Sequence, residues 1–238
     1  MITKVLVIPD VHGRGFWKTP CEDWFGKIIF LGDYHDPYGN WVAHEPNKEQ
    51  SRQNLRELVD FVTAKRNKPE KDSTICLLGN HDCFYYTKNL GCRSDNANFN
   101  EVRELLDALN TQISYELVYN NAEVTNKFLF THAGVTKDWA DWHNLSMNDI
   151  NNLSIRDAKI LEEVPYSRGG YSQFGSCIWN SVGDYDLENH IPDYYQIFGH
   201  TWNGRTEPII KEDYAMLDCG KAFVLDLATK KIKPWSKN

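Results

Sequence analysis

Asp10-Val11-His12-Gly13, Gly32-Asp33-Tyr34-His35-Asp36, Gly79-Asn80-His81-Asp82, Thr131-His132-Ala133-Gly134 and Gly199-His200-Thr201 follow one another along a chain of 238 residues. Each block sets Asp, His or Asn beside the end of a short apolar run. Carboxylate, carboxamide and imidazole groups drawn from such distant points make a poor core. They make a good bed of oxygen and nitrogen ligands for two divalent metals. Taken singly, each block has a plain structural reading: Asp-x-His-Gly can be a turn, and Asn80-His81-Asp82 can cap a helix. Five in series, restricted to the same few residue types, point to one shared site.

The elements that must carry these blocks are legible around them. Val5-Leu6-Val7-Ile8, Ile28-Ile29-Phe30-Leu31, Ile75-Cys76-Leu77-Leu78, Phe128-Leu129-Phe130 and Ile197-Phe198 each run into a block. Continuous apolar runs of this length read as strands buried on both faces, and polar groups at the carboxyl ends of such strands are where open α/β sheets bind ligands. Between them, Leu55, Leu58, Val59 and Val62 predict a helix over Glu49 to Lys65, with Phe61 widening its apolar stripe. Val102, Leu105, Leu106 and Leu109 predict another over Asn98 to Leu109. A third is expected from Ser146, as N-cap, to Glu163. Tyr214 to Leu217 and Ala222 to Leu227 read as strands joined by a turn at Asp218-Cys219-Gly220-Lys221. There is no internal repeat and no convincing linker, so one domain over 1–238 is expected. Residues 83–110 are a candidate surface insertion, their first part (Cys83 to Asn100) being rich in Asn and aromatics.

Composition narrows the partners. Hydrophobic residues make up 41% of the chain, enough for a substantial core without disulfides or a structural metal. The formal charge is −7, the isoelectric point is near 5.6, and no basic stripe is present. Tight nucleic-acid binding is therefore not expected. A small phosphorylated substrate is compatible, because bound metals would supply a local field of opposite sign. Cys21, Cys76, Cys83, Cys92, Cys177 and Cys219 form no C-x-x-C pair, no apolar run approaches a membrane span, and Met1-Ile2-Thr3-Lys4 leads directly into the first strand. A cytoplasmic protein with reduced thiols and no membrane partner is the expectation.

The order and residue types of the blocks resemble the calcineurin-like metallophosphoesterases, whose motifs are D-x-H, G-D-x-x-D, G-N-H-[DE], a later His, and G-H. The resemblance runs from Asp10 to Gly220. Many members end in G-H-x-H, the second His completing the first metal site; Trp202 stands there in this chain. Gly199-His200-Thr201 is thus similar to the branch holding the Ser/Thr phosphoprotein phosphatases and the symmetrical diadenosine tetraphosphate hydrolases. Arg168-Gly169 with Phe174-Gly175 resembles the R-G-x-x-x-x-F-G stretch of that branch.

The resemblance implies an α/β fold: a four-layer α/β-β/α sandwich with two central mixed sheets. It implies that Asp10 and His12 bind one metal, Asn80, His132 and His200 the other, and Asp33 both. A shared carboxylate holds two cations roughly 3.5–4 Å apart, close enough to share a hydroxide and clamp a phosphoryl oxygen. Mn²⁺ is the first expectation, with Fe, Zn²⁺ and Mg²⁺ as alternatives. His81 is implied as the general acid that protonates the leaving oxygen, oriented by Asp36. Arg168 is the expected phosphate clamp, since a guanidinium fork matches two phosphoryl oxygens. Phosphoprotein phosphatases usually carry Arg directly after the second Asp; here Pro37 takes that place, and Arg14 is the candidate substitute. Trp202 is expected at the pocket rim, and Trp139 and Trp142 in the core. His35, His44, His143 and His190 are expected to be loop residues. The expected activity is metal-dependent hydrolysis of phosphomonoesters, phosphoprotein included. A nucleotide or dinucleoside polyphosphate hydrolase is the alternative, and an inactive binding scaffold a third reading.

Overall fold

The computed structural model of the chain describes residues 2–39, 44–67, 74–181, 189–202 and 206–237. Val5 and Val7 face one core while Leu6 and Ile8 face another, as the two-residue period of a strand requires. Ile29 and Leu31 against Ile28 and Phe30 repeat the pattern, and so do Phe128 and Phe130 against Leu129. Each central strand is therefore apolar on both sides. That accounts for the unbroken hydrophobic runs.

One sheet contains β1 (Lys4–Ile8), β2 (Ile28–Phe30), β3 (Thr74–Cys76), β9 (Phe223–Asp226) and β10 (Ile232–Pro234), in the order β10-β9-β1-β2-β3. The other contains β4 (Ser114–Asn120), β5 (Thr125–Thr131), β6 (Tyr194–Phe198), β7 (Ile209–Ile210) and β8 (Tyr214–Met216), in the order β4-β5-β6-β8-β7. Three strands in each sheet are parallel: β1, β2 and β3 in the first, β5, β6 and β8 in the second. The flanking strands pair antiparallel, so both sheets are mixed.

Between the sheets lies a shared core of residues such as Val7, Ile29, Phe128, Ile197, Ala215 and Phe223. On the outer face of the first sheet, Leu55, Leu58 and Val62 of α2 (Lys48–Arg66) and Val102, Leu106 and Leu109 of α4 (Phe99–Leu109) cover Leu6, Ile28 and Phe30. On the outer face of the second, Trp139, Ile150 and Leu161 cover Leu129. The architecture is the expected four-layer sandwich. An Asn47–Gln50 capping box starts α2, within a residue of the predicted boundary.

Some expectations change. The helix predicted over Ser146 to Glu163 is broken into α6 (Met147–Asn152), a single 3-10 turn (Ile155–Asp157) and α7 (Ala158–Leu161). Ser146 does cap α6, but Leu153 turns extended and Ser154 forms a second capping box with Asp157, restarting the chain in a new direction. Trp139 is buried in α5 (Lys137–Trp142), whereas Trp142, at the last position of that short helix, is 65% exposed and lies edge-on to Phe174. Residues 83–110 are packed into the fold: Cys83, Tyr85, Val102, Leu106 and Leu109 are all buried. The turn at Asp218–Lys221 joins strands of different sheets.

Asp82 ties the loop after β2 to the loop after β3. Its carboxylate accepts hydrogen bonds from the backbone N–H groups of Asp33 (2.8 Å), Tyr34 (3.0 Å) and Gly79 (2.9 Å). All three donors are buried, and a buried donor left without a partner costs about 1–3 kcal/mol. Asp82→Ala is therefore expected to lower unfolding stability by about 3 kcal/mol or more, measured by urea denaturation. A loss under about 1 kcal/mol would contradict the role given to this carboxylate.

Candidate active site

The polar blocks do converge. Asp10 and His12 follow β1, Asp33 and Asp36 follow β2, and Asn80 and His81 open α3 (Asn80–Thr87) after β3. From the second sheet, His132 follows β5 and His200 follows β6. Ligand-type atoms of Asp10, His12 and Asp33 lie within 4.8 Å of one another, and so do those of Asp33, His132 and His200. Asp33 belongs to both groups. Its Oδ2 is 3.4 Å from His12 Nε2 and 3.5 Å from His132 Nε2.

Backbone carbonyls aim the imidazoles. Nδ1–H of His12 donates to the His35 carbonyl (3.0 Å) and that of His132 to the Leu31 carbonyl (2.8 Å), which leaves both Nε2 atoms facing the centre. Asn80 Oδ1 lies 3.0 Å from His132 Nε2 and 2.9 Å from His200 Nδ1, and those two nitrogens are 3.2 Å apart. Asp10 is fixed from the far sheet, its two oxygens receiving the His200 N–H at 2.9 and 3.1 Å.

This crowding is matched by unusual backbone. His12 (φ 44°), Asp33 (φ 54°), Asp36 (φ 56°) and His200 (φ 67°) all occupy the left-handed region. Such residues cost about 1–3 kcal/mol each, and they cluster where function demands a given side-chain direction. Glycine is required where loops touch: a Cβ on Gly79 would collide with Asp33 Oδ1, and one on Gly199 with Asp10 Oδ1.

The electrostatics suit cation binding. Burial pushes His12 and His200 well below the usual imidazole range, helped at His200 by the Arg168 charge, so both are neutral. Burial opposes ionisation of Asp33, but His132, His81 and His12 outweigh it and hold the carboxyl well below its usual value. His132 runs the other way: against the cost of burial, Asp33 and Asp10 push it up to about 10.

His81 sits beside the cluster rather than in it. Its N–H donates to Asp33 Oδ1 (2.9 Å), and its ring Nδ1 is 3.0 Å from Asp36 Oδ2. Asp36 also receives the hydroxyls of Tyr85 and Ser94. Burial opposes its ionisation, but the hydrogen bonds and charge of His81 and the Tyr85 hydroxyl hold Asp36 below the usual carboxylate range. The ionised carboxylate therefore takes the proton on Nδ1 and leaves Nε2 directed away from it.

The remaining expected residues surround this centre. Arg168 donates from Nε to the Asn180 carbonyl (3.1 Å) and from Nη2 to the Thr201 hydroxyl, next to His200. Arg14 turns back on its own loop, donating to the carbonyls of Val11 (3.1 Å) and Asp10 (2.9 Å). Trp202 is 37% exposed and packs on Tyr38, with ring centroids 5.3 Å apart. His35 bonds Ser51 and His143 bonds Glu163, while His190 lies against Asp213. Neither they nor His44 join the metal-ligand groups among the described residues.

Sequence reasoning passed over three residues that the fold brings here, Tyr38, Arg93 and Asp218, and read Asp82 only as a possible helix cap. Asp218 follows β8, as the other blocks follow their strands, and its position after Ala215-Met216-Leu217 could have signalled it. It is buried, and both carboxylate oxygens lack a hydrogen-bond partner among the described residues. Burial and the Asp10 charge push its carboxyl well above the usual range.

Part of the chain is 26% identical, over 144 residues, to the symmetrical bis(5'-nucleosyl)-tetraphosphatase of Pasteurella multocida (strain Pm70), covering 47% of this chain and 50% of that protein. The chain thus matches about half the length of that curated relative. Across 99% of its length it superposes on 81% of the cold-active protein-tyrosine phosphatase of a psychrophile, Shewanella sp., with a TM-score of 0.57 at 14% identity. That likeness is one of fold. The family model of the calcineurin-like phosphoesterases matches residues 3–203, and the chain belongs to that family.

Proposed function

We propose that this chain hydrolyses phosphate monoesters, phosphoprotein included, as a two-metal phosphatase in the cytoplasm. The observation that carries the reading is the sharing of Asp33 by two ligand groups, with His81 held beside them through Nδ1 by Asp36. The donor set fits divalent ions. Three separate elements aim His132 Nε2, His200 Nδ1 and Asn80 Oδ1 at one point. Asp10 and His12 would hold one ion, Asn80, His132 and His200 the other, and Asp33 both. Two carboxylates and neutral imidazole and carboxamide ligands favour Mn²⁺, with Fe, Zn²⁺ and Mg²⁺ as alternatives.

When bound, such a pair supplies a nucleophile from water at neutral pH and neutralises charge on the phosphoryl oxygens. The chain's own residues do the rest. Arg168, anchored through Nε and hydrogen-bonded to Thr201 beside His200, would hold phosphoryl oxygens in the position set by His200. His81, its Nδ1 fixed on Asp36, would deliver a proton from Nε2 to the leaving oxygen. The drawing of ligands from both sheets supports treating residues 1–238 as one catalytic domain. Six unpaired cysteines, five of them buried, accord with a reducing compartment. Among the described residues, no helix is long and apolar enough to cross a membrane.

A second reading, hydrolysis of nucleotides or dinucleoside polyphosphates, has its own support. Tyr38 and Trp202 form an aromatic pair on the rim, suited to stacking a base, and a curated relative is named for that activity. Turnover of phenyl phosphate, a phosphopeptide, bis(p-nitrophenyl) phosphate and diadenosine tetraphosphate with Mn²⁺ separates the readings. A higher kcat/KM for diadenosine tetraphosphate than for any monoester would move the assignment to the second.

His81→Asn is expected to lower kcat on phenyl phosphate by about 10²–10⁴-fold with metal content unchanged. The loss should shrink on p-nitrophenyl phosphate, whose leaving group needs less protonation. Equal losses on both substrates would remove His81 from the proton-transfer step. Asp33→Ala is expected to lose activity by losing metal; elemental analysis finding two ions per chain in that variant would refute the bridging role.

A further inference from the structure

We propose that Arg93 contacts the substrate, supplying a phosphoryl-binding guanidinium where Pro37 provides none. The proposal deepens the hydrolase reading, from which it takes the position of the phosphoryl group beside His81.

Arg93 lies on the loop between α3 and α4, far in sequence from Pro37. Its Nη1 nevertheless donates to the carbonyl of Asp36 (3.1 Å), the residue directly before Pro37. Its Nη2 lies 2.5 Å from His81 Nε2, the nitrogen that would face the leaving oxygen. The guanidinium plane is backed by the Tyr38 ring, with Cζ 4.1 Å from the centroid, and Tyr38 in turn packs on His12 at 5.0 Å. A cation is thus lodged between the acid and the ligands of the first metal position.

Two further observations favour an anionic ligand for it. Among the described residues no carboxylate lies within ion-pair distance of Arg93, whereas Arg52, Arg56 and Arg103 each have one. A half-buried guanidinium offers five N–H donors, and a carbonyl, an imidazole nitrogen and a ring face leave its charge unmatched. Arg14, the alternative substitute, turns Nε and Nη2 to the carbonyls of Val11 and Asp10, and among the described residues it makes no hydrogen bond to His81. A phosphoryl oxygen that displaces His81 Nε2 as the partner of Nη2 would pair with the guanidinium and leave Nε2 free to carry the proton to the ester oxygen.

Inorganic phosphate is the probe, titrated calorimetrically into Mn²⁺-loaded protein. Arg93→Ala is expected to weaken phosphate binding about tenfold or more, and Arg93→Lys to weaken it less. Lys137→Ala, which removes a distant surface charge, controls for net charge and should bind as wild type. Metal content and far-UV circular dichroism confirm that the variants are folded and loaded, and Arg93→Lys serves if the alanine variant does not fold. Adding Pro37→Arg to Arg93→Ala should restore part of the affinity. Phosphate affinity in Arg93→Ala equal to that of wild type, or of Lys137→Ala, would overturn the proposal. If Arg93→Ala weakens phosphate binding while the wild type turns over no ester, Arg93 keeps its role and the hydrolase reading falls.

Discussion

Asp33 is the residue on which both halves of the site lean. Its carboxylate faces His12 and His132 through one oxygen and takes the His81 N–H on the other. Its backbone is equally committed: the carbonyl accepts from Val11 (3.1 Å) and His12 (2.7 Å), and the N–H donates to Asp82. The loops after β1, β2 and β3 are thereby locked to one another, and through His132 to the second sheet. The left-handed φ of Asp33 is the local cost of that arrangement, held in place by the surrounding hydrogen bonds.

The two-sheet core makes such convergence possible. Three parallel strands in each sheet end on the same side of the molecule, and each carries a polar block or, for β8, Asp218. Burial between sheets and helices fixes strand direction, because a one-residue slip would turn Val5 and Val7 out of the shared core and Leu6 and Ile8 into it. Side chains at the strand tips inherit that precision. The same burial favours neutral His12 and His200, while neighbouring imidazoles hold Asp33 ionised against it.

What could be read from sequence was whatever repeats or carries chemistry in a short block. The apolar runs announced the central strands, since burial on both faces leaves no polar position to obscure them. β4 was missed because one of its faces meets solvent, leaving Tyr115, Leu117 and Val118 among polar neighbours with Val118 exposed. The single helix over Ser146 to Glu163 failed because a buried apolar stripe continues across Leu153, while Ser154 and Asp157 redirect the backbone locally. Among site residues, the ligand types were recognisable one block at a time. Asp82 was legible only as a possible helix cap and Asp218 only as part of a turn, since the backbone N–H groups that bind the one and the burial of the other are set by the fold.

The segment following α3 shows why such residues escape. Ser94 donates to Asp36, and Arg93 donates to the Asp36 carbonyl while touching His81. Next in the chain, Asp95 donates its N–H to the Tyr85 hydroxyl and pairs with Arg52, and Tyr85 itself donates to Asp36. Three consecutive residues of a loop with no apolar period thus hold both ends of the Asp36–His81 pair. Composition marks this stretch as surface, rich in Asn and aromatics, because its role is to place hydrogen-bond donors rather than to fill a core. A side chain of this kind is identified by what it meets in space.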